Sequence, residues 1–257
     1  MIRRRLRTAA VLGGLALAGA AGVAGCTGEG DSWDEAVAAY VDQTEITEAE
    51  IDAVVDGLRA EIGGEIEREL ANLADEMDQE ELAEHRVERF GQLDDQVAVT
   101  RTRVLEMRIL TEAADRYIAA EGLAPPEVPQ TAIDQQATDL GLSPDSEYVQ
   151  VVTGFFATLG VLQATVEPEP PTEADQREVY EHLVAEGLTT VPFEQAQPTL
   201  SEELIGQPVA MRNLLAEVLD RAGVRVSPDY DLVYQLPVPI GSGESWLELP
   251  LGQSGSG

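Results

Sequence analysis

The fold of this chain is decided by the stretch VAAYVDQTEITEAEID, residues 37–52. Its first half is short and apolar, which is typical of a strand. In the second half, Thr47 and Glu50 have the spacing of a capping box, in which each side chain accepts a hydrogen bond from the other residue's backbone N–H. Ile46 and Ile51 stand where apolar side chains pack across the first turn of a helix. The stretch therefore predicts a strand, a turn and a helix that starts at Thr47.

The end of the chain supplies a partner for this first strand. Residues 224–226 and 232–236 are typical of short strands. We expect residues 38–41 to pair with 224–226, so that the two ends of the chain belong to one module. The predicted fold class is mostly α, with this small two-stranded β element joining the N- and C-terminal segments.

Helical periodicity covers most of the chain between these strands, because apolar residues recur three and four positions apart. Gly63-Gly64 is a candidate break in the first helix. The predicted helices lie near residues 47–77, 80–90, 97–120, 131–140, 146–165, 172–187 and 209–222. The 146–165 helix carries the widest apolar stripe, so we expect it to form the spine of the fold together with 97–120.

Prolines and glycines divide the chain into segments. Pro168, Pro170 and Pro171 cannot continue a helix and predict a linker, and the Gly- and Ser-rich end is typical of a loose segment. The predicted organisation is a lipoprotein signal peptide (1–25), a tether (26–35), a helical core (36–166), a proline linker (167–171), closing helices and strands (172–236) and a flexible tail (237–257).

Cys26 is the only cysteine and follows an apolar run that is preceded by four arginines. The sequence Val-Ala-Gly-Cys at 23–26 resembles a bacterial lipobox. That resemblance implies cleavage before Cys26, acylation of its thiol and a lipid anchor at the extracytoplasmic face of the cell membrane. The alternatives are a signal peptide cut elsewhere or an uncleaved anchor, but the apolar run is short for a spanning helix, which needs about 20 residues.

The chain is strongly acidic, with 48 acidic residues, 16 arginines, no lysine and a formal net charge of −32. Removal of residues 1–25 leaves 12 basic and 48 acidic residues, a net charge of −36. Nucleic acids and anionic lipid surfaces both require basic patches, so we exclude nucleic acid and expect the membrane link to be the acyl chain. The acids are spread over many helix faces and indicate a solubilising surface, with a basic partner or a metal ion as alternatives.

Catalytic motifs are absent from the sequence. His85 and His182 lie in polar helical stretches, where we expect solvated side chains. There is no Gly-x-Ser-x-Gly motif, no phosphate-binding glycine loop and no cluster with zinc spacing. The acidic pairs 94–95 and 202–203 lack the loop pattern of an EF-hand. We therefore predict no catalytic residue, no metal and no cofactor.

The order of these parts resembles a known family. Residues 38–52, RVLEMRILTEAADRYIAA at 103–120 and RAGVRVSPDY at 221–230 are similar to the SurA N-terminal domain and to the related PrsA lipoproteins. The resemblance implies an extracytoplasmic chaperone that holds unfolded secreted polypeptides. A parvulin domain is expected to be missing, because only about thirty residues separate Tyr180 from Met211 and such a domain needs roughly three times that length.

A chaperone of this kind needs apolar surface that stays accessible after folding. The irregular, proline-punctuated stretch after the 172–187 helix is the main candidate, together with one edge of the 148–162 stripe. The predicted peptide-binding residues are Leu188, Val191, Phe193, Leu200, Leu204 and Ile205. The alternatives are an acidic docking protein for a basic envelope partner and a divergent prolyl isomerase within 181–208.

Overall fold

The computed structural model describes residues 33–240 and 243–252. The helices are α1 (Glu48–Leu73), α2 (Gln79–Ala120), α3 (Gln130–Leu140), α4 (Glu147–Gln163), α5 (Glu173–Ala185), α6 (Phe193–Ala196) and α7 (Glu202–Arg221), and the strands are β1 (Val37–Val41), β2 (Thr44–Thr47), β3 (Val224–Val226), β4 (Val233–Ile240) and β5 (Gly243–Pro250). The prediction of a mostly helical chain with a small β element is confirmed. The predicted signal peptide, Cys26 and most of the tether lie outside the described residues.

The chain ends meet in one small antiparallel sheet of order β2-β1-β3. Ala39 pairs with Val226 and Val41 with Val224, so the predicted joining of the N- and C-terminal segments is confirmed. The element has three strands rather than two, because the chain turns back after β1 and adds β2. Asp42 makes this turn with φ of 55°, a conformation that Asp tolerates better than most residues.

The start of α1 follows the sequence prediction atom by atom. The Glu50 backbone N–H donates to the Thr47 hydroxyl at 3.2 Å, and the Thr47 N–H donates to the Glu50 carboxylate at 2.8 Å. These hydrogen bonds lower the pKa of Glu50, because they favour its charged form. The capping box therefore fixes the point at which strand becomes helix.

The two long helices are more continuous than predicted. Helix α1 runs through Gly63-Gly64 without a break, since α2 packs against it and Gly63 faces Phe90 and Leu93. The predicted helices 80–90 and 97–120 are one helix, α2, of 42 residues. Leu93 lies between the two predicted stretches and is buried, and this contact favours a continuous helix there.

The main hydrophobic core lies where α2, α4 and α7 pack beneath the small sheet. Leu105, Ile109 and Leu110 of α2 are fully buried. Helix α4 is central, as predicted, and it begins at Glu147 after a turn at Ser143-Pro144. Its apolar stripe is only partly covered, because Phe156 remains 56% exposed.

The proline segment 167–171 is held against α7. This helix begins earlier in the chain than predicted. The Glu169 backbone N–H donates to the Gly206 carbonyl at 3.2 Å, and the Asn213 side chain donates to the Glu169 carboxylate at 2.8 Å. A Cβ added to Gly206 would lie 2.9 Å from the Glu169 carbonyl oxygen. Glycine at this position therefore allows the close approach of the segment to the helix.

A buried carboxylate ties α5 to α7. Asp175 is 4% exposed and accepts hydrogen bonds from the Thr172 hydroxyl and from Arg212, which also pairs with Glu178 at 3.2 Å. Burial alone raises the pKa of Asp175, but the hydrogen bonds from Thr172 and Arg212 outweigh it and the pKa lies below its ordinary value. The ion pair of Asp175 with Arg212 compensates the carboxylate charge that is buried on α5.

The predicted flexible tail is wrong for the part that the structure describes. Residues 243–250 form β5, which pairs with β4 in a hairpin, although we expected loose chain from 237 onward. Leu247 is fully buried and Val238 is 1% exposed, and both pack on α5 and α7. The hydrophobic contact of this hairpin with two helices outweighs the loose composition of the flanking glycines and serines.

No helix among the described residues is both long enough and apolar enough to cross a membrane.

Candidate functional site

Most of the predicted peptide-binding residues are buried or partly buried in the structure. Phe193, Leu200 and Ile205 are buried, and Leu204 is partly buried against the same cluster, so these residues do not form an accessible surface. Only Leu188 and Val191 remain exposed, at 47% and 42%.

Two contacts explain this burial. The β4–β5 hairpin covers the cluster that contains Leu200 and Ile205. Phe193 lies in edge contact with Tyr180 and beneath the guanidinium of Arg177, 4.2 Å from the ring centre. Leu204 packs on the same cluster as Ile205, so three of the six predicted residues are buried and a fourth is partly buried.

A groove on another part of the surface is a candidate concave site among the described residues. It lies where α1, α2, the end of α3 and the start of α4 meet, and it encloses about 520 Å³. This volume falls within the range of about 300–1,000 Å³ that is usual for ligand sites. Its apolar walls are formed by Leu58, Ile62, Val99, Leu140, Leu142 and Tyr148.

The end of α3 shapes one wall of the groove. Gly141 has φ of 67° and ends the helix in the left-handed conformation, so the Leu142 backbone N–H reaches the Ala137 carbonyl at 2.9 Å. The next residue, Ser143, donates its backbone N–H to the Glu61 carboxylate of α1. These bonds hold Leu140 and Leu142 against the groove, with Leu140 38% exposed.

The opposite wall is a face of α2. Asp95, Val99 and Arg103 follow one another at i, i+4 and i+8, a spacing that places them on one side of the helix. Val99 is 57% exposed at the centre of this row. Thr100 is buried beside it and donates its hydroxyl to the Gln96 carbonyl at 2.8 Å. The charged groups of this wall, Asp95 and Arg103, therefore stand at two separate points with Val99 between them.

Arg103 differs from the other arginines of the described residues. Ten of the twelve form ion pairs with carboxylates, and Arg225 lies over the ring of Tyr40 at 4.7 Å. Among the described residues, no carboxylate lies within 4.0 Å of the Arg103 guanidinium and no aromatic ring lies beneath it. A guanidinium thus remains available at one end of an apolar groove.

Two ionisable groups near Arg103 have shifted pKa values. Burial raises the pKa of Glu106, one turn along α2, to about 7, and the charge of Arg103 opposes this rise. Burial also raises the pKa of Tyr148, again against the charge of Arg103. Behind Glu106, the pKa of Tyr234 rises to about 12 through burial and the nearby carboxylate. Near neutral pH, Glu106 is therefore in part protonated and compensates only part of the Arg103 charge.

The arrangement suits binding rather than bond chemistry. The groove is lined by apolar side chains, one carboxylate, one amide, two hydroxyls and one guanidinium, and the hydroxyl of Thr100 already donates to its own helix. A nucleophile beside a general base is not among these residues. Within residues 33–240 and 243–252, no three His, Cys, Asp or Glu side chains are placed to hold a metal ion.

The two histidines lie away from the groove. His85 is partly exposed, with Nε2 3.7 Å from a Glu69 carboxylate oxygen. The expectation of a solvated His182 is wrong, because its ring stacks on Trp246 at 4.5 Å and its Nδ1 lies 2.8 Å from the Trp246 carbonyl oxygen. His182 thus helps to seat the hairpin on α5.

Sequence reasoning missed the groove because it placed Asp95 and Gln96 between two helices rather than on one. The signal was present in Val99, an apolar residue four positions after Asp95 on an otherwise polar face. Arg103 carries no such signal, since Glu106 three positions later is typical of an intrahelical ion pair.

No family model, no curated protein and no solved structure with which the chain was compared matches it. The similarity to SurA and PrsA therefore stays a prediction from the sequence.

Proposed function

We propose that this chain is a lipid-anchored extracytoplasmic protein that binds unfolded or secreted polypeptides and holds them without catalysis. The observation that carries the proposal is the open apolar groove between α1, α2, α3 and α4. Half-exposed apolar side chains in a concave site gain free energy when they are covered, at about 25 cal/mol for each Å² of apolar surface removed from water.

The shape of the groove favours an extended chain as its occupant. It is open to solvent, and its volume accommodates a few side chains rather than a folded partner. Val99 and Leu140 present apolar surface from opposite walls, at 57% and 38% exposure. An unfolded polypeptide offers such apolar side chains before its own core has formed.

The acidic exterior supports the same function. The net charge of −32 keeps the protein soluble and repels other copies of itself while an apolar segment is bound. The resemblance of residues 38–52, 103–120 and 221–230 to SurA and PrsA favours this function, and Cys26 supplies the proposed anchor to the extracytoplasmic face of the cell membrane.

The test is suppression of aggregation of an unfolded client enzyme by the purified full-length protein, followed by light scattering after dilution from denaturant. Val99→Asp places a charge in the groove and should raise the protein-to-client ratio needed for half suppression by about tenfold, the equivalent of 1.4 kcal/mol. The matched control is Val87→Asp on the same helix, where Val87 is 74% exposed and outside the groove. This control should behave as the wild type.

Equal behaviour of the two variants, or no suppression by the wild type at any ratio, would contradict the proposal. Salt distinguishes the rival function. Binding in an apolar groove survives high salt, whereas docking of a basic partner on the acidic surface is screened within about 10 Å at 0.1 M salt. Suppression that disappears with salt and ignores Val99→Asp would favour the docking protein.

A further inference from the structure

The charges of the groove stand in a defined order along α2. Asp95 and Arg103 are eight residues apart, which corresponds to about 12 Å along a helix axis. Val99 lies midway between them on the same face. An extended peptide advances about 3.3–3.6 Å per residue, so the distance between the two charges matches three to four residues of extended chain.

Each end of this row suits a different part of a polypeptide. The Asp95 carboxylate can accept hydrogen bonds but forms none with the described residues. It is therefore open to backbone N–H groups of an occupant. The Arg103 guanidinium donates hydrogen bonds and has no carboxylate partner among the described residues. A planar guanidinium forms two parallel hydrogen bonds with a carboxylate, which is its preferred partner.

We infer that the groove recognises the C-terminal end of an unfolded polypeptide whose last residues are apolar, with the terminal carboxylate bound by Arg103. This inference rests on the proposed function and specifies its client. The chain then runs along α2 toward Asp95, with its apolar side chains against Val99 and Leu140.

Charge complementarity carries the assignment. In a chain with 48 acidic residues and 16 arginines, ten of the twelve described guanidinium groups pair with a carboxylate, and a further one, Arg225, lies over the ring of Tyr40. The remaining one, Arg103, lines the groove. A fatty acid shares the apolar chain and the carboxylate, but it has no N–H groups for Asp95 and no amide for Gln96. The polar groups of the second wall therefore favour a peptide over a lipid.

The test compares two fluorescein-labelled hexapeptides that end in Leu-Val-Leu, one with a free carboxylate and one with a C-terminal amide. Binding to the full-length protein is measured by fluorescence anisotropy at low salt, with a protein-free blank. The free carboxylate should bind about tenfold more tightly than the amide. In Arg103→Gln this ratio should fall below about twofold, because the carboxylate peptide loses more affinity than the amide peptide.

Arg68→Gln is the matched control, because Arg68 is exposed and pairs only with Glu65 of its own helix. It should keep the tenfold preference. The variant Arg103→Gln loses no ion pair, so its circular dichroism and unfolding curve should match those of the wild type, and a change in peptide preference cannot be attributed to misfolding.

The outcomes separate this inference from the proposed function. Equal binding of both peptides, or a carboxylate preference that survives Arg103→Gln, would overturn the inference and leave the groove a general apolar site. Failure of both peptides to bind would overturn the proposed function itself. Dodecanoate and the unlabelled carboxylate peptide are compared as competitors of the labelled carboxylate peptide. If dodecanoate displaces the labelled peptide at a lower concentration than the unlabelled peptide does, the groove is assigned to lipid.

Discussion

Leu247 tests which apolar surface of the protein is accessible. The sequence predicts a flexible tail here, whereas the structure buries Leu247 fully against α5 and α7, with Val179 and Ile205 in the same cluster. If the hairpin were loose, Leu200 and Ile205 would be uncovered and the predicted peptide surface at 188–205 would be restored.

The structure gives the size of the effect. Leu247→Ala removes three buried carbon atoms, each with a transfer free energy of about 0.8 kcal/mol. The cavity that remains adds to this loss, because helices α5 and α7 are held by other contacts and cannot close it, so the total is about 3–4 kcal/mol. Leu188→Ala is the matched control and should change the free energy of unfolding by less than about 0.5 kcal/mol, since Leu188 is 47% exposed.

Urea unfolding followed by far-UV circular dichroism measures both variants, with the slope of the transition as a check on two-state behaviour. A loss of less than about 1 kcal/mol for Leu247→Ala would refute a docked hairpin. Client aggregation adds a functional readout. Stronger suppression by Leu247→Ala than by the wild type would show that the buried cluster, once uncovered, binds clients as well as the groove does.

Three further changes test separate parts of the structure. Burial raises the pKa of Glu106 from 4.5 to about 7, so the folded state holds a proton that the unfolded state releases, and the free energy of unfolding should fall as the pH rises from about 4.5 to 7. Glu106→Gln should flatten this fall by about 1–2 kcal/mol in urea unfolding at several pH values, a discounted figure because the carboxyl is partly open to water. Arg212→Met leaves the buried Asp175 carboxylate without its ion pair and should cost about 3–5 kcal/mol by the same assay at pH 7. Gly206→Ala places a Cβ 2.9 Å from a backbone oxygen of the preceding segment and should cost about 1–3 kcal/mol, whereas Gly154→Ala, with open space around it in α4, should stabilise by up to about 1 kcal/mol in thermal unfolding.

Local signals in the sequence predict the framework of the fold well. The Thr47–Glu50 capping box and the pairing of 38–41 with 224–226 both depend on short, strongly patterned stretches, and the structure contains both. The apolar residues of α1 and α4 were likewise visible from their helical spacing. These features need no knowledge of distant contacts, because the local chain specifies them.

The hairpin β4–β5 shows what the local sequence does not reveal. Pro237 and Pro239 argue against a strand when they are considered singly. They stand two residues apart, however, and therefore face the same edge of β4, where a two-stranded hairpin needs no N–H donor. The strand is stabilised by the burial of Leu247 and Val238 on two helices, which is a long-range contact that no local pattern encodes.

The groove escapes sequence prediction for a related reason. Its walls come from four helices, and each contributes one or two residues that are ordinary members of a helix face. Leu58 and Tyr148 lie in the apolar stripes that the sequence assigns to the core, yet both border the groove. Only the packing of α3 beside α1 and α2 leaves an opening there rather than a closed interface.

The arginines explain how so acidic a chain keeps both a folded interior and an available positive charge. Most of the ion pairs join different elements, and Arg101 of α2 contacts both Glu48 and Asp52 of α1. A planar guanidinium has five N–H donors in a fixed geometry and bonds two carboxylates more specifically than the compact ammonium of lysine does, which fits a sequence without lysine. Each exposed pair contributes at most about 1 kcal/mol, so these pairs orient the helices more than they stabilise them. Arg103 stands outside this arrangement, and the acid nearest to it along its helix, Glu106, has its pKa raised by burial to about 7. Above pH 7 the ionised Glu106 competes for the guanidinium, and the carboxylate preference of the groove should weaken there.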